Sequence, residues 1–181
     1  MSLVVAVESQ PDWPNGDAVV LGGDSGIFDE FDAKDRVSGK CFIYKGIGFG
    51  VCGTYRAAQV IRYHWRPIDL PSSAHDVEGW AVTHLVPSLR DLGEKHGMED
   101  DWCNAVVGVR GVALRITDDW AVVRSPHGYV CLGSGMSWAE GALAATEGKP
   151  AFERVALAVQ SALRHCTNVE GPPGIWRVPA G

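Results

Sequence analysis

The chain opens with short apolar runs of strand length that alternate with polar turns. Four runs are predicted as β-strands, since each is four to six residues long and bounded by turn residues: Leu3–Val7, Ala18–Gly23, Cys41–Tyr44 and Ile47–Cys52. The dipeptide Lys45-Gly46 joins the last two runs in a predicted hairpin. The segment Ser9–Asp17 predicts a turn, and the polar, acidic segment Ser25–Gly39 predicts a long connection.

The hydrophobic period then changes to that of helices. Apolar residues at helical spacing predict a helix over Thr54–Arg66, which Pro67 ends. A second predicted helix covers His75–Lys95, and Pro87 within it predicts a kink or a break. Strand-like runs then return, and two more helices follow them. The later predicted elements are strands at Ala105–Val109, Ala113–Thr117, Trp120–Arg124 and Tyr129–Leu132, helices at Ser137–Glu147 and Pro150–Cys166, and a last strand at Ile175–Val178.

The order of these elements predicts the class of fold. Strands and helices are segregated along the chain, which favours an α+β fold over a parallel β-α-β arrangement. Short turns join the strands of the second group, which is typical of an antiparallel meander, and each group of strands is followed by its own pair of helices. We therefore predict two stacked antiparallel sheets with helix pairs outside. A length of 181 residues suits one domain, spanning residues 1–181.

Composition narrows the classes of partner. The net charge of −6 argues against nucleic acid or an anionic membrane as the main partner, and no apolar run reaches the roughly 20 residues of a membrane span. The five cysteines are odd in number and lack a Cys-x-x-Cys pair, so neither a disulfide framework nor a zinc ribbon is predicted. The histidines form no metal-binding pattern. We expect a cytoplasmic protein without cofactor or metal.

Candidate chemistry begins at the N-terminus. Removal of Met1 would leave Ser2 as the terminal residue, and its own α-amino group could take the proton that keeps a serine hydroxyl from being a good nucleophile. Such an amine has a pKa of roughly 8, which suits proton transfer near neutral pH. Lys40 would lower the pKa of both the amine and the hydroxyl, and Asp24 would hold the lysine charged and in place.

Two further segments extend this hypothesis. Backbone N–H groups near Gly53, at the end of the fourth strand, could receive a developing oxyanion, and the Ser134 hydroxyl could orient the amine or a water. Each residue taken singly has a commoner structural explanation. Asp24 would be a turn residue, Lys40 a solvated charge, and Ser134 part of a strand-to-helix turn. The combined order of the residues favours the catalytic interpretation.

That order resembles the proteasome β-subunit family, most closely its simple bacterial, HslV-like branch. The resemblance covers nearly the whole chain. Its segments are the opening strand Ser2–Val7, the second strand with its aspartate Val19–Ser25, Lys40, the glycine-bearing strand end Phe49–Thr54, and Leu132–Gly135 before an alanine-rich helix.

The resemblance implies a fold and an activity. The fold would be the four-layer αββα sandwich of N-terminal-nucleophile hydrolases, and the activity would be hydrolysis of peptide bonds inside a ring-shaped chamber. Ser2 would be nucleophile and base, Lys40 would lower the relevant pKa values, Asp24 would position Lys40, Gly53 would supply an oxyanion donor, and Ser134 would assist proton transfer. The expected partners are other copies of the chain, a peptide or unfolded-protein substrate, and an ATPase or larger particle.

Three features depart from the family pattern and leave alternatives open. The nucleophile would be Ser2 where the family usually has threonine, the loop Ser9–Asp17 is longer than in simple bacterial members, and the stretch Arg164–Asn168 lacks the usual aspartate and tyrosine. One alternative is a catalytically inactive, ring-forming structural subunit, for example of a phage virion or a protease complex. Another is an amidohydrolase that acts on a small amide as a monomer or dimer.

Overall fold

A computed structural model of the chain describes residues 2–9, 17–28, 34–36, 39–66, 68–98, 102 and 104–179. The strands are β1 (Leu3–Glu8), β2 (Asp17–Gly23), β3 (Gly26–Phe28), β4 (Lys34–Arg36), β5 (Cys41–Tyr44), β6 (Ile47–Cys52), β7 (Asn104–Val109), β8 (Val112–Ile116), β9 (Val122–Arg124), β10 (Tyr129–Gly133) and β11 (Gly174–Pro179). The helices are α1 (Tyr55–His64), α2 (Val77–Trp80), α3 (Val86–Lys95), α4 (Met136–Ala145) and α5 (Ala151–His165).

Two antiparallel sheets form the centre of the fold. One has the strand order β10-β1-β2-β11, and the other runs in chain order from β5 to β9. The prediction that each sheet is one meander of consecutive strands was wrong. β5 and β6 belong to the sheet of β7, β8 and β9, whereas β10 belongs to the sheet of β1 and β2 and pairs with β1. The turn chemistry of Ser125–Gly128 could not reveal this, because a short loop can either close a hairpin or carry the chain across to the second sheet.

The helices cover the outer faces of both sheets. Apolar residues of β1 that face outward, such as Leu3 and Val5, pack with Val155 of α5 and its neighbours. On the other side, Phe49 of β6 packs with the α1–α3 layer through residues such as Ile61. A third apolar cluster fills the space between the sheets. The architecture is therefore the predicted α+β sandwich of four layers, αββα.

Burial on both faces explains the sequence of β1. Val4 and Ala6 point between the sheets while Leu3, Val5 and Val7 face the helices, so every position from Leu3 to Val7 is apolar and no alternation is visible. The glycines of β6 are required by the same close packing between the sheets. A Cβ atom on Gly48 would lie 2.2 Å from Cδ1 of Leu21, so only glycine lets the side chains of β2 approach this closely.

Two predicted segments differ from what is observed. Within Ser25–Gly39, predicted as a plain connection, β3 and β4 pair as a small antiparallel ladder. The predicted helix His75–Lys95 does not break at Pro87. It begins with a 3₁₀ turn at Ala74–Asp76 and contains π-helical turns at Ala81–Leu85, directly before the α3 segment that carries the proline. Because proline lacks an N–H, this local change of hydrogen-bond spacing accommodates it without ending the helix.

Candidate active site

The predicted site residues lie next to strand ends on one side of the sandwich. Ser2 precedes β1, Asp24 follows β2, Lys40 precedes β5, and Ser134 follows β10. Antiparallel register brings three of these ends together, because Leu3 pairs with Gly133 and Val4 pairs with Gly23. Ser2, Asp24 and Lys40 are all buried, so the polar groups meet inside the protein and away from bulk water.

Asp24 and Lys40 form a buried ion pair. The Lys40 ammonium lies 2.9 Å from each carboxylate oxygen of Asp24. The same carboxylate accepts a hydrogen bond of 2.8 Å from the backbone N–H of Leu3, and the Asp24 N–H donates to the Leu3 carbonyl at 3.2 Å. Charges withdrawn from water need such complete pairing, and here it ties the pair to the residue directly after Ser2.

Ser134 holds the backbone of Ser2 from the opposite side. The Ser2 N–H donates to Oγ of Ser134 at 3.3 Å, and the Ser134 hydroxyl donates to the Ser2 carbonyl at 3.3 Å. Gly133 permits this approach. Its φ is +102°, and a Cβ atom there would lie 2.0 Å from the Ser2 carbonyl oxygen. Position 133 therefore requires glycine, because the backbone there lies in close contact with the residue that precedes β1.

Cys52 contacts the predicted nucleophile, although the sequence analysis gave it no place in the site. The Ser2 hydroxyl donates to Sγ of Cys52 at 3.1 Å. Burial raises the pKa of this thiol to about 11, while the hydrogen bond from Ser2 and the charge of Lys40 act to lower it. The thiol is thus protonated at neutral pH. The signal that could have identified it is its position directly before Gly53.

Gly53 follows Cys52 at the exit from β6. Its φ of +109° is a conformation that residues with side chains rarely adopt, so the chain turns from β6 toward α1 at this glycine. Chain connectivity thus keeps Gly53 beside the Ser2–Cys52 contact.

A backbone clamp on the Asp24 loop is a second feature that the sequence did not reveal. The carbonyl of Glu170 accepts hydrogen bonds from the N–H groups of Ser25 and Gly26, at 3.2 and 3.0 Å. The Glu170 N–H points back to the Asp24 carboxylate at 3.5 Å. The chain beyond α5 therefore supports the ion pair through its backbone. Every residue has these backbone groups, so no residue type in the sequence indicates such contacts.

A wide cavity lies away from these residues. A cavity of about 980 Å³ opens beside Glu8, Arg124 and Arg154, at the far end of β1 from Ser2. None of the predicted site residues lines it. Within the part of the chain that the structure describes, no group of three or more histidine, cysteine, aspartate or glutamate side chains could hold a metal ion. Among the helices described, none has the length and apolar character that crossing a membrane requires.

Solved structures of proteasome-like proteins match this fold over nearly the whole chain. BPH from Thiobacillus denitrificans, solved in complex with epoxomicin, has a TM-score of 0.77 at 14% identity, covering 97% of this chain and 98% of that one. HslV from Trypanosoma brucei has a TM-score of 0.69 at 17% identity, with 96% and 97% covered. The helical assembly of the Anbu complex from Pseudomonas aeruginosa has a TM-score of 0.69 at 16% identity, with 97% and 80% covered.

The sequence matches no family model and no curated protein. Identities of 14–17% establish the fold alone. The chain therefore has the fold of proteasome and HslV subunits, that of the N-terminal-nucleophile hydrolases, and the predicted resemblance and fold class are confirmed at that level. The catalytic roles of Ser2, Asp24, Lys40, Gly53 and Ser134 stay predictions.

Proposed function

We propose that the chain is an N-terminal-nucleophile hydrolase that cleaves peptide or other amide bonds, with Ser2 as nucleophile after removal of Met1. The surroundings of Ser2 carry this proposal. Ser2 is buried, and its backbone is hydrogen-bonded to Ser134. The next residue, Leu3, donates a hydrogen bond to Asp24 of the Asp24–Lys40 ion pair. A hydroxyl, a backbone nitrogen that would become an amine, and a buried cation then share one small region.

The first half of the reaction forms an ester. The free α-amine of Ser2 takes the proton from its own hydroxyl as Oγ attacks the carbonyl carbon of the substrate. The Lys40 charge favours the alkoxide and keeps the amine unprotonated, and Asp24 fixes that charge in place. The carbonyl oxygen becomes an oxyanion, which the N–H at Gly53 stabilises. The C–N bond then breaks, and the ammonium formed on Ser2 gives its proton to the leaving amine.

The second half releases the acyl group. Water attacks the Ser2 ester while the α-amine takes its proton, the carboxylic acid leaves, and Oγ recovers its hydrogen. The Ser134 hydroxyl keeps the nitrogen in reach of these protons, because it is bonded to that nitrogen already. No cofactor is required by this sequence of steps.

Self-association belongs to the same proposal. Anbu, which shares the fold, forms a helical assembly. Large apolar side chains such as Trp138 and Leu157 are exposed on the α4–α5 layer, which supports contact between copies of the chain. A chamber built from several copies would admit peptides or unfolded proteins. An ATPase or a larger particle would be the partner that delivers them. Cys41, Cys52, Cys131 and Cys166 are free thiols, which supports the expectation of a cytoplasmic location.

The proposal is tested with protein trimmed to begin at Ser2 and a peptidyl β-lactone, which acylates a nucleophilic hydroxyl. We expect one adduct per chain, mapped to Ser2 by peptide mass spectrometry, and hydrolysis of a fluorogenic peptide. Ser2→Ala should reduce both by roughly 10³-fold or more. Ser125→Ala, at the far end of the sandwich, is the control and should behave as wild type. A folded, trimmed protein that takes no adduct at Ser2 contradicts the hydrolase.

A non-catalytic structural subunit is the second candidate. It is favoured by the absence of a carboxylate from Arg164–Asn168, the stretch in which the resembled family usually has an aspartate. Intact mass separates the two: retention of Met1 in protein isolated from its native source supports the subunit, and its loss supports the enzyme. The small-amide hydrolase is distinguished by sedimentation, since it would be active as a monomer or dimer.

A further inference from the structure

The thiol of Cys52 lies against the proposed nucleophile inside the sandwich. Ser2 and Cys52 are 4% and 6% exposed, and their hydrogen bond of 3.1 Å links a residue before β1 to the end of β6 in the opposite sheet. A Cβ atom on Gly133 would lie 3.2 Å from the same sulfur, so the thiol is confined on that side too. The contact therefore joins the two sheets at the position where the reaction would begin.

A confined hydrogen bond can select one orientation of a serine hydroxyl. The Ser2 side chain has three staggered rotamers, and only one of them directs Oγ at a given neighbour. The protonated thiol is neutral, so it accepts weakly from the hydroxyl and does not remove its proton. The positive charge of Lys40 also acts on this thiol, so the ammonium lies within electrostatic range of the oriented hydroxyl.

We propose that Cys52 is a positioning residue, which holds the Ser2 hydroxyl in the rotamer from which it attacks the substrate. This inference rests on the proposed hydrolase function. Cys52 itself forms no bond to substrate. Its contribution is to keep the Ser2 side chain in one rotamer. Misplacement of a reacting atom lowers the rate of reaction even when substrate binding is unaffected.

Cys131 supplies a matched comparison within the same protein. It is also a buried free thiol, and burial likewise raises its pKa, but it packs in the cluster between the first sheet and α4–α5. A role limited to core packing would make the two cysteines equivalent. A positioning role would make only Cys52 matter for the rate of acylation.

The experiment measures acylation of trimmed protein by a peptidyl β-lactone as separate kinact and KI values. We expect Cys52→Ala to lower kinact about 10-fold with KI unchanged, because the hydroxyl loses its partner. Cys52→Ser should restore most of kinact, since its oxygen accepts the same hydrogen bond. Cys52→Val fills the space but cannot accept a hydrogen bond, so its kinact should be close to that of Cys52→Ala. This variant also provides the measurement if the alanine variant folds poorly. Cys131→Ala should leave kinact unchanged.

Equal kinact values for Cys52→Ala, Cys52→Ser and Cys131→Ala would overturn the positioning role. That outcome is distinct from failure of the hydrolase proposal, in which wild-type protein itself would take no adduct at Ser2. Urea unfolding of each variant shows that the rates compare folded proteins.

Discussion

The two ends of β1 each carry an ion pair, and they differ in almost every other respect. Next to Leu3, Lys40 contacts Asp24 at 2.9 Å with side chains 7% and 0% exposed. About 17 Å along the strand, at Glu8, Arg124 lies 3.7 Å from the carboxylate with side chains 42% and 20% exposed. The second pair borders an open cavity of about 980 Å³, whereas the first is enclosed by backbone hydrogen bonds.

This difference shows that cavity size is a poor guide to the candidate chemistry here. At the Glu8 end, water screens the charges, so the pair contributes little and can rearrange. At the Ser2 end, the Asp24–Lys40 pair is buried and its carboxylate also accepts a hydrogen bond from the Leu3 N–H, so the positions of the charges are fixed before any substrate arrives. Preorganised charges in a region without water are what stabilise developing charge in a reaction. Two comparisons between the ends, and one pH measurement at the Ser2 end, test this distinction.

Loss of the cation should have the largest effect at the Ser2 end. Lys40→Met leaves Asp24 as an uncompensated buried charge, and we expect the free energy of unfolding to fall by about 3–5 kcal/mol. Arg124→Met removes the exposed cation, and we expect a loss of about 0–1 kcal/mol. Urea unfolding measures both. Similar losses for the two variants would show that the ends do not differ in the way described.

The glycines at the two ends of β10 sharpen the same comparison. Gly133 and Gly128 both have positive φ, but only at Gly133 would a Cβ collide, at 2.0 Å from the Ser2 carbonyl oxygen. At Gly128 the nearest atom would lie 3.6 Å away, on Glu8. We expect Gly128→Ala to cost about 1 kcal/mol for backbone strain alone, and Gly133→Ala to cost about 2–3 kcal/mol. Equal melting temperatures would show that Ser2 is not held against Gly133.

Alkaline pH should produce the smallest effect. The pKa of the Cys52 thiol rises from an ordinary value of 9.0 to about 11 on burial. Between these values the unfolded chain has lost the proton and the folded chain keeps it, so raising the pH favours unfolding. Between about pH 8 and about pH 10, wild type should lose about 1 kcal/mol more stability than Cys52→Ala. Parallel curves for the two proteins would mean that the thiol is exposed to water.

Local patterns in the sequence predicted most of the elements. The helices over α1 and α5 follow from spacing, and β1 follows from its uninterrupted apolar run. The exchange of strands between sheets did not follow, because β10 has the same local features whichever sheet it joins. The clamp of Glu170 on the Asp24 loop was equally invisible, since it uses backbone atoms that every residue has.

Sequence order alone determined which residues stand next to strand ends: Ser2, Asp24, Lys40 and Ser134 each border an apolar run. Only the tertiary structure decided that these ends meet, because β1 pairs both with β2 and with β10, and β10 lies more than a hundred residues further along the chain. It also decided that Cys52, from the second sheet, reaches the Ser2 hydroxyl. Local propensity acts over a few neighbouring residues, whereas the stacking of two sheets is set by burial of apolar surface over the whole chain.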